Sequence, residues 1–417
     1  MSPLGYRGAR ELGAVIGLCL VFAAGRARAE ALDLPQAIAL GADHGPGVAT
    51  AGAPRAAYAD ARDAARVFFT LPPRLSVQLG PRFIDGAPRP EVLVGLYQDI
   101  PLRGLGGARA DSADALLSYT AGAVARARLD AALRAGVAWT MVREAEDVLV
   151  LRRSATEGAR ELARITRARV DAGTLTPADR ATADAEVALS AASELDAEGA
   201  LVEARSELRL ALTSSEDLPL RGDLRASDDT SADEASSIAI ATTSHPSLVA
   251  LHRRTIAYEH DAILQRAYQA PALTVGVSWS REGTGEQVVL GVLQLPLPFS
   301  RAGDYEAART SAFADAERES EATERKRIEE GVRLALHERV HTREVRATFL
   351  TAVAALREAE RLARIELDVG TSGLTPVLLA RSRRITTEER LVRAYADVIR
   401  ADLRFGHAIG HIPWRTP

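Results

Sequence analysis

The sequence predicts a mainly α-helical fold with a small β part, in which one structural unit occurs twice. Alanine, arginine, glutamate and leucine dominate the 417 residues and only 5% are aromatic, which is typical of long helices. Two long stretches contain no proline. Each ends at a similar turn-forming segment, "DAGTLTPADRATAD" (171–184) in the first half and "DVGTSGLTPVLLARS" (368–382) in the second. A fold of paired long helices explains all three observations.

Residues 1–29 are predicted to be a secretory signal peptide. Arginines precede the apolar stretch Leu12–Ala24, and "ARA" (27–29) has the form of a cleavage site. The apolar stretch is too short to cross a bilayer, which needs about 20 residues. The single cysteine, Cys19, would leave with the signal, so we expect no disulfide or thiolate site in the exported chain. The net charge of −4 gives no basic footprint for nucleic acid.

The proline-free stretches predict two very long helices. No proline occurs from Leu102 to Thr176 or from Phe299 to Thr375. Since proline in a helix interior costs about 3 kcal/mol, both stretches can continue as one helix. A helix of about 65 residues would be roughly 100 Å long. Apolar residues recur there every three or four positions, and every seventh after the second turn segment, as in packed helices and coiled coils: Leu129, Leu133, Val137 and Met141; Ile328, Val332, Leu336 and Val340; Leu378, Ile385, Val392 and Ile399.

A pair of short segments before each long helix predicts a β-hairpin, over 73–101 and 271–298. Leu273, Val275, Val277 and Trp279 alternate with small and polar residues, which indicates a strand with one apolar face. Each segment has about ten residues, the length of a tilted strand that spans a membrane. Four strands are too few to close a spanning barrel, which starts at about eight. Three copies of the chain would supply twelve.

The chain therefore divides into two equivalent repeats. The first covers residues 30–212 and the second covers 241–410, each with the order short helix, hairpin, long helix, turn and second long helix. The stretch 213–240 is polar, acidic and rich in helix breakers, so it is predicted to be a linker. Residues 411–417 form a C-terminal tail.

Three further stretches carry a resemblance to a known family: "LDLPQAIALGADHGPGVATAGA" (32–53), "SHPSLVAL" (244–251) and "LYQDIPLRGLGGARADSADA" (96–115). With the ordered duplication, they make the chain resemble the TolC-like outer membrane efflux protein family, closest to its heavy-metal branch, over essentially the whole exported sequence. The resemblance implies a homotrimer whose twelve-stranded transmembrane β-barrel lies in outer membrane lipid and continues as an α-helical tunnel through the periplasm. It implies a passive duct without cofactor, working with an inner-membrane pump and a periplasmic adaptor.

In such a channel the two turn segments would be the periplasmic tips of the helical hairpins. Glycine allows the chain to reverse, Thr and Ser can cap the next helix, and Pro177 suits a first helical turn. Family adaptors dock on tips with the form Val-Gly-x-Thr/Ser, which "VDAGTLT" (170–176) and "VGTS" (369–372) match. The resemblance thus implies that an adaptor contacts the tip residues Gly173, Thr174, Leu175, Thr176, Gly370, Thr371 and Ser372.

The gate at the tunnel mouth is less defined by the resemblance. Some family members have acidic residues six and nine positions after the second glycine, where this chain has Pro376 and Leu379. The first half has Asp179 at the first of these positions, and Asp368 precedes the second glycine. An acidic ring favours cations, whereas an apolar constriction gates by dewetting. Both gate chemistries remain open, with Asp179, Asp368, Pro376 and Leu379 as candidates.

The segment "HERVH" (337–341) fits the zinc-protease motif H-E-x-x-H, with His337 and His341 as ligands and Glu338 as base. Its position within the second proline-free stretch instead indicates a chance match in a charged helix. There Val340 fits the packing stripe, and Glu338 and Arg339 are expected to face solvent. We expect no enzyme, and the histidines are only a weak metal candidate.

A soluble periplasmic coiled-coil adaptor or scaffold is the main alternative function for the chain, although no lipoyl-like β-domain is found. A metalloprotease is the third.

Overall fold

The computed structural model describes residues 31–66, 71–102, 104–224, 232–297 and 302–412. The predicted signal peptide (1–29) and most of the predicted tail (413–417) lie outside the described residues. The elements of the first half are α1 (Leu34–His44), α2 (Val48–Gly52), α3 (Arg55–Ala65), β1 (Arg74–Ile84), β2 (Ala87–Pro101), α4 (Leu105–Asp171) and α5 (Pro177–Leu212). Those of the second half are α6 (Glu234–Ser244), α7 (Pro246–Tyr268), β3 (Ala272–Arg281), β4 (Gln287–Gln294), α8 (Ala302–Val369) and α9 (Leu374–Ala408). The predicted fold class, with two long helical hairpins and four strands, is confirmed.

The long helices α4 and α8 have 67 and 68 residues, and their hairpin partners α5 and α9 have only 36 and 35. The remaining N-terminal half of each long helix is covered by shorter helices. Arg62 of α3 lies 3.7 Å from Asp114 of α4. Arg254 of α7 lies 3.3 Å from Glu317 of α8. In the described ranges, no helix is long and apolar enough to cross a lipid bilayer.

In their C-terminal halves the long helices form one layer, in the order α5, α4, α9, α8. Ion pairs and a hydrogen bond join each neighbouring pair: Arg153 to Glu198 at 2.7 Å between α4 and α5, the Arg381 Nη2 donor to the Ala155 carbonyl at 2.6 Å between α9 and α4, and Arg343 to Asp402 at 2.9 Å between α8 and α9. α5 and α8 are thus the two edges of the layer, and no helix of the described residues covers their outer sides there.

The four strands form one antiparallel sheet in the order β1-β2-β3-β4, so the two hairpins meet where β2 pairs with β3. One face is apolar across all four strands, since residues paired directly across strands share a face. Its residues are Leu75, Val77, Leu79, Val92, Val94, Leu96, Val275, Val277, Trp279, Val289, Gly291 and Leu293. The other face is largely polar on its first three strands. There Asp99 accepts hydrogen bonds from Arg74 at 2.9 Å and Thr274 at 2.6 Å.

The largest core lies where α1, α4 and α9 meet, midway along the molecule. Trp139 is 1% exposed there and donates from Nε1 to the Leu32 carbonyl at 3.0 Å. The stretch predicted as a linker is partly ordered against this core. Leu220 forms a parallel bridge with Leu32, and α6 begins at Glu234, inside the predicted linker. The polar composition of the stretch did not predict this order, because the few apolar residues in it are enough to pack on the core.

Candidate functional site at the hairpin tips

The first hairpin turn is built by three residues after α4. Gly173 has φ +73°, in the left-handed region where glycine is favoured, and reverses the chain. Thr174 then donates to the Arg169 carbonyl from both its backbone N and its hydroxyl, each at 2.9 Å. These bonds satisfy a carbonyl at the helix end that would otherwise have no partner in the helix.

The second turn repeats this geometry. Gly370 has φ +80°, and Thr371 donates to the Glu366 carbonyl from its backbone N at 2.9 Å and its hydroxyl at 3.1 Å. In both halves, the threonine after the turn glycine donates to the carbonyl five residues before it, although Gly173 comes two residues after α4 and Gly370 directly after α8. The two turns thus share the same hydrogen bonds.

The two turns differ in how the next helix begins. Thr176 caps α5 in a reciprocal box: its hydroxyl accepts from the Asp179 backbone N at 3.2 Å, and its own backbone N donates to the Asp179 carboxylate at 2.9 Å. The Thr176 backbone N–H, followed by its hydroxyl, holds the pKa of Asp179 below its ordinary value. Pro177 occupies the first turn, as predicted. The prediction of Thr or Ser caps is wrong for the second turn, because Gly373 precedes α9 without a side-chain cap.

The two tips of one chain are joined to each other. Arg169, on α4, donates from Nη1 to the Leu367 carbonyl at 2.9 Å and from Nη2 to the Asp368 carboxylate at 2.7 Å. Leu175 packs against a buried apolar cluster from both hairpins: Ala163, Ala183, Ala363, Leu367, Leu374 and Val377. The hairpins therefore present their tips as one unit.

The seven tip residues of the sequence prediction lie together at this end, with different exposure. Leu175 and Ser372 are half-buried, and the others are exposed: Gly173, Thr174, Thr176, Gly370 and Thr371. A side chain added at either glycine would meet open space. The exposed backbone of both turns is therefore accessible to another protein.

The four gate candidates fall into two groups, acids that are paired within the chain and residues of α9 that are exposed. Asp179 is used in the α5 cap, and Asp368 pairs with Arg169. Pro376 is exposed in the first turn of α9, and Leu379 is 51% exposed one turn later. Within one chain, both acids thus have a local partner and the two α9 residues are left accessible.

Sequence reasoning missed Arg169 as the residue that joins the tips. A signal for it exists. Arg169 and Glu366 occupy the same position in the two repeats, four residues before the turn glycine, with opposite charge. Equivalent positions with opposite charge suit a contact between the repeats, and the contact forms with Asp368, two residues after Glu366.

The H-E-x-x-H segment lies on α8, and its side chains are placed differently from the prediction. Val340 is 46% exposed, so its assignment to the packing stripe is wrong. Arg339 was expected in solvent but is half-buried, because it lies over the Phe405 ring at 4.6 Å and pairs with Asp402 at 2.8 Å. Glu338 pairs with Arg404 at 3.2 Å. The described part of the chain contains no group of three or more residues placed to hold a metal ion.

No family model and no curated protein sequence matches this chain. Solved structures do. The outer-membrane channel OprN aligns with a TM-score of 0.76 at 19% identity, over 91% of this chain and 90% of that one. The MtrE outer membrane channel of Neisseria gonorrhoeae, in its open state, gives 0.73 at 17% identity over 91% and 89%. The CmeC outer membrane channel of Campylobacter jejuni gives 0.73 at 15% identity over 90% and 85%. Over nearly its whole described length, the chain has the fold of these outer membrane channels.

Proposed function

We propose that the chain is one subunit of a homotrimeric outer membrane efflux channel, a passive exit duct for an inner-membrane pump and a periplasmic adaptor. The observation that carries the proposal is that both layers have free edges. Among the described residues, the sheet ends at β1 and β4, which are each paired on one side only, and the helix layer ends at α5 and α8. Unpaired strand edges invite pairing with another chain. A closed ring of copies satisfies both layers at once.

The free side of α5 has the pattern of a helix-packing surface. Small residues recur at every seventh position: Ala185, Ala192, Gly199 and Ser206. Large apolar residues flank them and are 62–68% exposed in the single chain: Leu189, Leu195, Val202 and Leu210. α8 likewise exposes Leu334, Leu362 and Val369, which are spaced by multiples of seven residues and therefore lie on one side of the helix. Exposed apolar rows of this kind on both edges support helix-to-helix contact between subunits.

The sheet supports insertion in the outer membrane. Its apolar face would contact lipid, and its polar face, with Asp99 and Thr274, would line the lumen. Three copies give twelve strands, joined where β4 of one copy pairs with β1 of the next. In the same ring the helices would form a tunnel that extends into the periplasm, with the tips at its far end.

We further propose that the adaptor docks on the tips through the exposed turn residues. Replacing Gly173 and Gly370 together with Trp places bulk on the outer surface, where the structure has open space. Replacing both with Asn is the matched control, since Asn tolerates the left-handed conformation. In a pull-down, we expect the Trp variant to lose the cognate adaptor and the Asn variant to retain it. Equal capture by both variants and the wild type would contradict docking at these turns.

The gate is proposed to be an apolar constriction formed by Leu379 and Pro376. The local pairing of Asp179 and Asp368 supports this choice, because each carboxylate already has partners in its own chain. The cargo is proposed from the sequence resemblance alone, which favours metal ions. An adjacent pump gene of the metal or drug type would decide between cargo classes.

The proposed function is tested by complementation. The chain is expressed with its cognate adaptor and pump in bacteria that lack their own outer membrane efflux channels. We expect trimers in the outer membrane fraction that dissociate on heating, and restored tolerance to metal salts or dyes. A monomer in the soluble periplasmic fraction, without restored tolerance, would support the alternative of a coiled-coil adaptor or scaffold.

The metalloprotease alternative has less support. Its base would be Glu338, which pairs with Arg404 on α9 instead of facing a cleft beside the two histidines. Peptidase activity that Glu338→Gln abolishes would reverse this assessment. No observation in the described residues favours the protease over the duct.

A further inference from the structure

Two histidines of α8 lie on the free edge of the helix layer. His337 and His341 are one turn apart and exposed. Their rings are stacked, with centroids 5.9 Å apart and planes 7° from parallel. Over the ranges that the structure describes, no hydrogen bond or ion pair joins either ring to another residue. Two imidazoles are thus displayed side by side without a partner in their own chain.

The other polar residues of this turn face the opposite way. Glu338 pairs with Arg404, and Arg339 pairs with Asp402 on α9. His341 instead lies on the same side of α8 as the exposed Leu334, Leu362 and Val369, since all four are spaced by multiples of seven residues. In the proposed trimer, on which this inference rests, that row meets the α5 edge of the neighbouring subunit.

The α5 edge carries carboxylates at the corresponding level. Arg205 of α5 pairs with Glu146 of α4 at 3.3 Å, and the nearby Glu144 pairs with Arg400 of α9. On α9, Asp402 in turn pairs with Arg343 of α8. This chain of ion pairs places α5 near residue 205 level with α8 near residue 343.

The carboxylates in question are Glu203 and Glu207, which are both exposed and lie within one turn of Arg205. His341 lies within one turn of Arg343 on the opposite edge of the layer. Closing the ring of subunits brings these two edges together. The carboxylates of one copy then approach the imidazoles of the next.

We propose that His337 and His341 bind a divalent metal ion of the zinc class at each seam between subunits, together with Glu203 or Glu207 from α5 of the adjacent copy. Imidazole suits Zn²⁺, Cu²⁺ and Ni²⁺, and two imidazoles, one carboxylate and a water form a common four-coordinate zinc set. The ion would link two subunits, so it stabilises the trimer relative to separated chains. It is a structural seam ion, separate from any exported cargo.

The test uses the full chain as a purified trimer in detergent, stripped with a chelator and titrated with Zn²⁺ by calorimetry. We expect one Zn²⁺ bound per subunit and a higher temperature of trimer dissociation on gels. His337→Ala with His341→Ala should abolish both effects. Glu203→Gln with Glu207→Gln should weaken Zn²⁺ binding by at least about a hundredfold, because loss of an outer-shell partner alone can cost that much and these carboxylates are direct ligands. His252→Ala, at an exposed histidine of α7 that lies 3.5 Å from Glu321, is the matched control and should change neither.

The outcomes separate this inference from the proposed function. A trimer that binds no Zn²⁺, or binds it unchanged in the double histidine variant, overturns the seam site and leaves the channel proposal intact. Unchanged binding in the double glutamate variant overturns the contribution of the neighbouring subunit. A chain that stays monomeric with and without Zn²⁺ overturns the trimer and the seam site together.

Discussion

His245 links the start of α7 to the end of α9, with one ring nitrogen bonded at each. It is 4% exposed and caps α7, where its Nδ1 accepts from the Ser247 backbone N at 3.1 Å. Its Nε2 lies 3.1 Å from the His407 carbonyl and donates to it. This arrangement requires the neutral ring, since a protonated Nδ1 could not accept. Burial lowers the pKa of His245, which favours the same neutral form.

Acidification is therefore expected to destabilise the protein through His245. The pKa of a free histidine is about 6.5 and that of folded His245 is lower, so the unfolded chain takes up the proton first. The free energy of unfolding then falls as pH drops below about 6.5. We expect a lower Tm at pH 5.5 than at pH 7.5, measured by circular dichroism in detergent.

His245→Asn tests whether this residue is responsible. Asn is a strong N-cap and does not titrate, so it should retain the bond from Ser247 and reduce the pH dependence. The neighbouring His407, 2.8 Å from the Asp130 carboxylate, remains in the variant. The same drop in Tm for variant and wild type would assign the effect elsewhere.

At the residue scale, the sequence predicted most contacts within the turns, apart from the missing side-chain cap before α9, and did not predict contacts between helices. Gly173, Gly370 and the Thr176 cap follow from local spacing, because their hydrogen bonds join residues at most five apart. The bond from Arg169 to Asp368 joins residues 199 apart. It depends on how two hairpins align, which no local pattern specifies.

At the scale of elements, a buried cluster of charges holds α8 to α9. Glu360 is 5% exposed and lies between Arg364 on its own helix and Arg384 on α9. Burial alone would raise the pKa of Glu360, but the hydrogen bond from Arg384 and the charges of both arginines outweigh it and lower the pKa. Arg384 also pairs with the buried Glu388 at 2.5 Å. The carboxylates thus separate guanidinium groups that would otherwise repel.

Glu360→Ala is expected to destabilise the hairpin by about 3 kcal/mol, because it removes one of the two carboxylates that neutralise the largely buried Arg384. Glu358→Ala is the matched control. Glu358 is two residues away and exposed, and pairs with Arg361 at 2.6 Å, so its loss should leave the stability nearly unchanged. Thermal unfolding in detergent measures both. Equal effects would show that the buried cluster contributes no more than a surface pair.

The prediction of secondary structure was correct where local composition determines it. The prediction of buried positions was wrong where packing between helices determines them. The proline-free stretches correctly predicted α4 and α8, because a helix can continue without interruption where no proline breaks it. The apolar spacing misplaced Val340, because an apolar residue every few positions fits both the inner face and an exposed edge of the helix. On α8, arginines at 339 and 343 take the inner positions, where Asp402 neutralises them.

At the scale of the whole molecule, the sequence predicted that one chain is incomplete. The four strands and the exposed rows of α5 both support the proposed ring of copies. We expect Leu195→Glu with Val202→Glu to prevent trimer formation, since both side chains are more than 65% exposed in one chain and would be buried at the seam. Charges buried there without partners are strongly unfavourable. Gel analysis of unheated and heated samples measures the loss of trimer.

Ala200→Glu separates the seam from a general effect of added charge on α5. Ala200 is exposed on the same helix between the two positions and lies seven residues before Glu207, in a row where the proposed seam already holds a carboxylate. We expect this variant to form trimers, and all variants to keep the helical circular dichroism of the wild type, because none of the three residues packs within its own chain. Trimers of normal heat stability in the Leu195 and Val202 double variant would show that α5 is not the seam. The subunits would then have to close through another edge, and the zinc site proposed between α8 and α5 would lose its second half.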